Sequence, residues 1–213
     1  VMPKEELLQI AELVRENKNI NILSDEIYEL ILKKEFKHLS LASLAPDLKE
    51  RIFMINGFAK GWAMTGWRVG YLVGQKDVIK ASSALQSQST SNVCSFVQRG
   101  ALEALKINQE FFLKINSHYD LRREALYKGL KNIEGLFLYP PDGAFYAFPR
   151  LPNNSITSVE FCKKILNDYG LVVVPGKPFG DDQCIRISCA SSKEKILDGL
   201  SRLEKAISNY YFK

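Results

Sequence analysis

Short apolar runs that follow helical or polar stretches limit what this chain can fold into more than any other feature: INIL (20–23), RIFMIN (51–56) and VGYLVG (69–74). Each has the length of a strand and is too short for a helix. INIL comes after residues 3–16, where Leu7, Leu8, Ile10, Ala11 and Val14 recur at helical spacing behind Pro3. Helix followed by short buried strand, repeated, is the pattern of an α/β sheet with helices on its faces. In such a sheet ligands sit beyond the carboxyl ends of the parallel strands, and Asp25 and Lys60 both fall just past strand ends.

Beyond Gln75 the pattern turns helical, over about 76–88, 94–107 and 109–132, with the polar patch SQSTSN (87–92) between the first two stretches. From Gly135 the runs LFLY (136–139), AFYAFP (144–149), LVVVP (171–175) and CIRISC (184–189) read as strands, alternating with helices at 158–168 and 193–208. This predicts a second, two-layered α/β unit and a boundary near Asn116, hence domains 1–116 and 117–213. No internal repeat or low-complexity segment interrupts the chain.

The 213 residues are 46% hydrophobic, enough for a sizeable core. The net charge of +5 is spread without long runs of one sign, which argues only weakly for a nucleic-acid partner. The 4 cysteines form no CxxC pair, and no spacing joins them to His38 and His118 as zinc ligands, so no metal site is expected. Reduced thiols in a cytoplasmic protein are the simplest reading. No apolar run of about 18 residues and no charged-then-apolar leader appears, so neither a membrane span nor a signal peptide is expected. The chain opens at Val1 without a methionine and reads as helix by Pro3, as if it began inside a larger one.

Chemistry concentrates in NGFAKGWAMTGWRVGY (56–71), which holds both tryptophans of the chain and is too rich in glycine to be a good helix. A half-buried amine is driven toward its neutral, nucleophilic form, which attacks carbonyls to give a Schiff base; Lys60 taken alone reads first as a surface lysine. Arg68 offers a planar fork for a phosphate, or for an ordinary salt bridge. Asp25, in SDEIYE, suits either a helix cap or the partner of a protonated heteroaromatic nitrogen. Tyr28 suits core packing or a phenol donating to a cofactor oxygen. Arg186, inside CIRISC, is costly in an apolar strand unless an anion meets it, either an internal carboxylate or that of a substrate.

Taken in order, SDEIYE, NGFAKGWAMTGWRVGY, PDGAFYAFP, VVVPGKPFG and CIRISCASS resemble the motif series of class I aminotransferases, the fold-type I pyridoxal-phosphate enzymes. The nearest likeness is to the bacterial aspartate aminotransferase subgroup, and it extends from Val1 to about Ile207. The resemblance implies part of the large cofactor-binding domain, with a mainly parallel sheet, followed by a smaller two-layer α/β domain. It implies pyridoxal 5'-phosphate held covalently by Lys60, which then shuttles the proton at the substrate α-carbon. Asp25 would pair with the ring nitrogen, Tyr28 with the ring oxygen, Arg68 with the phosphate, and Arg186 with the substrate α-carboxylate. Many relatives carry serine where this chain has Ala59 or Gly57, so one phosphate contact is missing or supplied elsewhere.

Relatives also carry a first half that supplies an asparagine, an aromatic stacked on the ring and a phosphate loop, so the sequence reads as the C-terminal portion of an aminotransferase. The substrates implied are an amino acid and a 2-oxo acid, aspartate with 2-oxoglutarate first. Aromatic amino acids, kynurenine, methionine and prephenate serve related subgroups, and a homodimer is the usual assembly. A non-catalytic, ligand-binding regulator domain is the alternative from another class, and a chain without activity of its own is a third reading.

Overall fold

The computed structural model describes residues 1–153 and 156–212. The chain forms two compact units, Val1–Leu113 and Lys114–Lys213. In the first, helix α1 (Lys4–Glu16) buries Leu7, Ala11 and Val14, one stripe at helical spacing. The stripe packs on Leu41 of the short helix α2 (Leu41–Leu44) and on Ala45, Leu48 and Ile52. Arg15 donates two bonds of 2.8 Å to Asp47, fastening α1 to the 3-10 turn Pro46–Arg51.

Strands β1 (Ile22–Asp25) and β2 (Ile52–Gly57) run parallel, in register from Ile22↔Ile52 to Asp25↔Ile55. β3 (Gly70–Val73) lies antiparallel on the other side of β2, from Met54↔Val73 to Gly57↔Gly70, giving the order β1-β2-β3. The sheet is therefore mixed in this stretch. A loop without a crossover helix joins β2 to β3, so the chain returns antiparallel. β1 begins later than the INIL run because Ile20 closes a turn, its N–H bonding the Asn17 carbonyl at 3.1 Å.

Helix α3 (Lys76–Ser89) follows and buries none of its residues among those described. α4 (Ser95–Ala104) sets Ala101 and Ala104 against Phe58, with Trp62, Met64 and Val69 around them. α4 stops short of residue 107 because the chain tightens, the N–H of Lys106 bonding Glu103 and that of Ile107 bonding Ala104. α5 (Gln109–Lys131) then carries Leu126 and Leu130 into the core of the second unit.

That unit has a three-stranded antiparallel sheet, ordered β4 (Tyr146–Ala147), β6 (Ile185–Ser188), β5 (Val174–Pro175). Helices α6 (Ser158–Tyr169) and α7 (Lys193–Tyr211) cover it, burying Phe161, Ile165, Ile196, Leu200, Leu203 and Ile207 around Ile185. α6 opens with a reciprocal cap between Thr157 and Glu160 and closes at Gly170, whose φ is 60°. The LFLY run does not form a strand. Phe137 makes only an isolated bridge to Arg150, although Leu136 and Leu138 do pack on the core while Phe137 and Tyr139 face outward.

Candidate active site

The parallel pairing of β1 and β2 sends both carboxyl ends to one edge of the sheet, and antiparallel β3 starts from that same edge. Asp25, the last residue of β1, Lys60, in the loop after β2, and Arg68, just before β3, are thereby gathered at a single sheet end. The loop is closed at its base by the Phe58 N–H bonding the Val69 carbonyl at 3.2 Å. Gly57 and Gly70 pair there so closely that a Cβ on Gly57 would lie 2.8 Å from the Gly70 Cα. A larger residue would spread the strands and separate Lys60 from Arg68.

Lys60 is half-buried, with its Nζ 5.7 Å from the centroid of the Tyr28 ring. Asp25 is exposed, and its Oδ1 accepts the Ile27 N–H at 3.2 Å. It thus caps a turn and not a helix, because the chain after β1 turns at once. Arg68 ends the 3-10 turn Thr65–Trp67 in a left-handed conformation, φ 52°, which costs a non-glycine residue about 1 kcal/mol. Its Nη1 donates to the Thr65 carbonyl at 2.8 Å, and the rest of its fork meets no acceptor among the described residues. Such outliers persist where surrounding contacts over-determine them. Here Trp62 donates its Nε1–H to the Ala104 carbonyl at 3.0 Å, and Trp67 lies on Gly100, where a Cβ would fall 2.3 Å from the ring.

Sequence reasoning missed the polar layer next to these residues. Glu26, adjacent to Asp25, is buried, and its carboxylate accepts from Ser24 Oγ at 3.0 Å and Ser40 Oγ at 2.9 Å and pairs with His38 Nε2 at 2.8 Å. Buried Asn56 accepts the Gly57 N–H on its Oδ1 at 2.7 Å. Burial, helped by the carboxylates of Glu29 and Glu26, pushes the Tyr71 phenol up. Only the acid following Asp25 in SDEIYE hinted at this arrangement, and two of its partners, His38 and Ser40, lie too far along the chain to be paired by spacing.

In the second unit, Arg186 on β6 is flanked by fully buried Ile185 and half-buried Ile187. Its guanidinium lies between two aromatic rings, 4.5 Å from the centroid of Tyr146 and 4.2 Å from that of Phe179. Contacts of this kind contribute roughly 1 kcal/mol each and act on the flat faces, leaving the in-plane N–H donors available. The Nε is buried and unpartnered, and no carboxylate meets the group among the described residues. The internal Asp or Glu that the sequence left open is thus not there. Tyr146 and Phe179 stand in PDGAFYAFP and VVVPGKPFG, and nothing in the spacing of those motifs assigns either ring a task.

The donor set suits a phosphorylated heteroaromatic aldehyde: an amine for the carbonyl, a carboxylate for a protonated ring nitrogen and an open arginine fork for the phosphate. Arg186 suits a carboxylate, whose two oxygens match an in-plane pair of its unused donors, the buried Nε among them.

The sequence model of the family described as aminotransferase class I and II matches residues 1–203. A protein of Rickettsia felis named "Probable aspartate/prephenate aminotransferase" is 39% identical over 219 residues, covering 98% of this chain and 54% of that protein. The aromatic aminotransferase of Pyrococcus horikoshii superposes with a TM-score of 0.90 at 34% identity, over 98% of this chain and 56% of its own. The aspartate aminotransferase of Thermus thermophilus with maleate gives a TM-score of 0.87 at 38% identity, over 97% and 53%. The chain spans about half the length of the curated relatives it matches.

Proposed function

Given that the chain belongs to the class I and II aminotransferase family, we propose that it serves a pyridoxal-phosphate transaminase, moving an amino group between an amino acid and a 2-oxo acid. The observation that carries this reading is the gathering of Asp25, Lys60 and Arg68 at one sheet end, in the family's motif order. When bound, pyridoxal 5'-phosphate supplies a carbonyl that exchanges for an amino group and an electron sink for charge developing at the substrate α-carbon. Lys60 would hold it through Nζ, and the same amine would move the proton at the substrate α-carbon. Asp25 would accept a hydrogen bond from the ring nitrogen and keep it protonated, Tyr28 would donate to the ring oxygen, and Arg68 would bind the phosphate. Arg186 would grip the substrate α-carboxylate and so orient the bond to be broken.

Aspartate with 2-oxoglutarate is the preferred pair, in line with the names of the relatives, with prephenate and aromatic substrates next. The 4 cysteines are free thiols, which suits the cytoplasm, and no described helix is long and apolar enough to cross a membrane. A homodimer is the assembly this reading carries. Incubation of the full chain with pyridoxal phosphate, borohydride reduction and peptide mapping should place the label on Lys60 and lose it in Lys60→Ala. A label spread over surface lysines, or unchanged in that variant, would end the proposal.

A further inference from the structure

Arg123 on α5 is the largest fully buried side chain among the described residues, 1% exposed, and no role proposed above uses it. Its Nη2 donates to Asp120 on the same helix at 2.6 Å, and its Nη1 donates to the carbonyl of Ala144 at 2.6 Å. A buried guanidinium is expensive to keep, and a methionine or leucine would fill the same space. What it grasps is specific. Ala144 has φ 51°, the left-handed region that a residue with a Cβ avoids, at the turn that feeds Phe145 and Tyr146 into β4.

The consequences of that turn run along a short path. Phe145 stacks on Tyr119 of α5, with ring centroids 5.6 Å apart and planes at 21°, and its carbonyl accepts the Cys189 N–H at 2.8 Å. Tyr146 pairs with Ser188 across the β4–β6 ladder and presents its ring to the Arg186 guanidinium at 4.5 Å. Were the turn at Ala144 to relax to an ordinary φ, the segment would leave α5 at another angle and Tyr146 would shift against Arg186. Phe179, the other wall, sits on a separate 3-10 turn, Lys177–Phe179, and would stay in place.

We infer that Arg123 is a positioning residue for carboxylate binding: by holding the Ala144 carbonyl it fixes Tyr146, and through Tyr146 the direction in which Arg186 points its N–H donors. This rests on the reading of Arg186 as the carboxylate-binding group. Arg123 itself touches neither substrate nor cofactor.

The test follows the Arg186 Nε–H resonance in arginine-labelled full chain, assigned with Arg186→Lys, while 2-oxoglutarate is titrated. Arg123→Met should displace that resonance in the ligand-free protein and weaken the titration about tenfold. Tyr146→Leu should do the same, and the double variant should be no worse than either single, because both act on one contact. Ala144→Gly added to Arg123→Met should recover most of the loss, since glycine adopts the left-handed turn unaided. If the methionine variant does not fold, Arg123→Lys takes its place, because one ammonium does not span both acceptors and the displacement should persist. A resonance left at its original position, losses that add in the double variant, or no recovery with Ala144→Gly would each overturn the inference. A wild-type resonance that ignores 2-oxoglutarate but is displaced by Arg123→Met would keep the positioning role and refute the carboxylate reading of Arg186.

Discussion

The two units hold their charged candidates in opposite ways. At the sheet end of the first, Asp25 and Arg68 are exposed and Lys60 half-buried, and what fixes them is a strained loop backed by Glu26, Asn56 and α4. In the second, Arg186 is clamped between rings, with a dry, unpartnered Nε. An open site held from behind suits a group that bonds covalently and exchanges, because attachment does not depend on enclosure. A slotted cation suits an anion that must bind in one orientation and leave. The same charge is thus made ready by backbone in one unit and by aromatic faces in the other.

The comparison breaks first at Lys60. On the proposed reading, Lys60→Ala should lower transamination by the full chain by on the order of 10^4-fold, since it would remove the group that moves the proton. A loss of only a few-fold in steady-state rate would mean that the open site is not the reacting one. Arg186→Gln should act on binding: loss of a charged hydrogen-bonded pair costs about 2 kcal/mol, roughly thirtyfold in KM, with kcat changed less. A fall in kcat with KM unchanged would show a slot that works only in the transition state and would blur the contrast.

Support can be separated from contact by Glu26→Leu, which strips the acceptor from Ser24, Ser40 and His38 and should lower stability by about 2 kcal/mol in urea unfolding. Its effect on cofactor binding should exceed its effect on carboxylate affinity, and the reverse order would contradict the division between units. The smallest effect belongs to the α6 cap. The Thr157 N–H and hydroxyl hold the Glu160 carboxyl below its ordinary range. Its stabilising share is present above the unfolded value and is lost as pH falls through the lowered folded one. Glu160→Gln should therefore lower the neutral plateau of a stability–pH curve slightly and flatten its acid limb, the two curves meeting at low pH.

Much of this was legible in the residues. The helices at 76–88 and 158–168 fell close to α3 and α6, because periodicity and caps are local. The strand runs were visible too, but their direction was not: nothing inside VGYLVG says that it returns antiparallel, which only the helix-free connection decides. LFLY had the alternation of a strand and lacked a full partner, so it stayed a single bridge. At the site, Asp25, Lys60, Arg68 and Arg186 stood out through motif order. Glu26 with His38, the rings around Arg186, and Arg123 did not. Each depends on partners distant in sequence, and a buried charge on α5 looks from spacing alone like one more basic residue on a helical face.

The loop that carries Lys60 and Arg68 also contains Trp62 and Trp67, and the chain has only 2 tryptophans. One has its indole N–H tied to Ala104, and the other is 43% exposed over Gly100. Excited near 295 nm, where tryptophan dominates absorption, the unlabelled protein emits from this loop and from nowhere else. The fold has in effect placed an optical reporter within a few residues of Lys60: any ligand that stiffens, wets or quenches the loop should register in the emission spectrum without a dye.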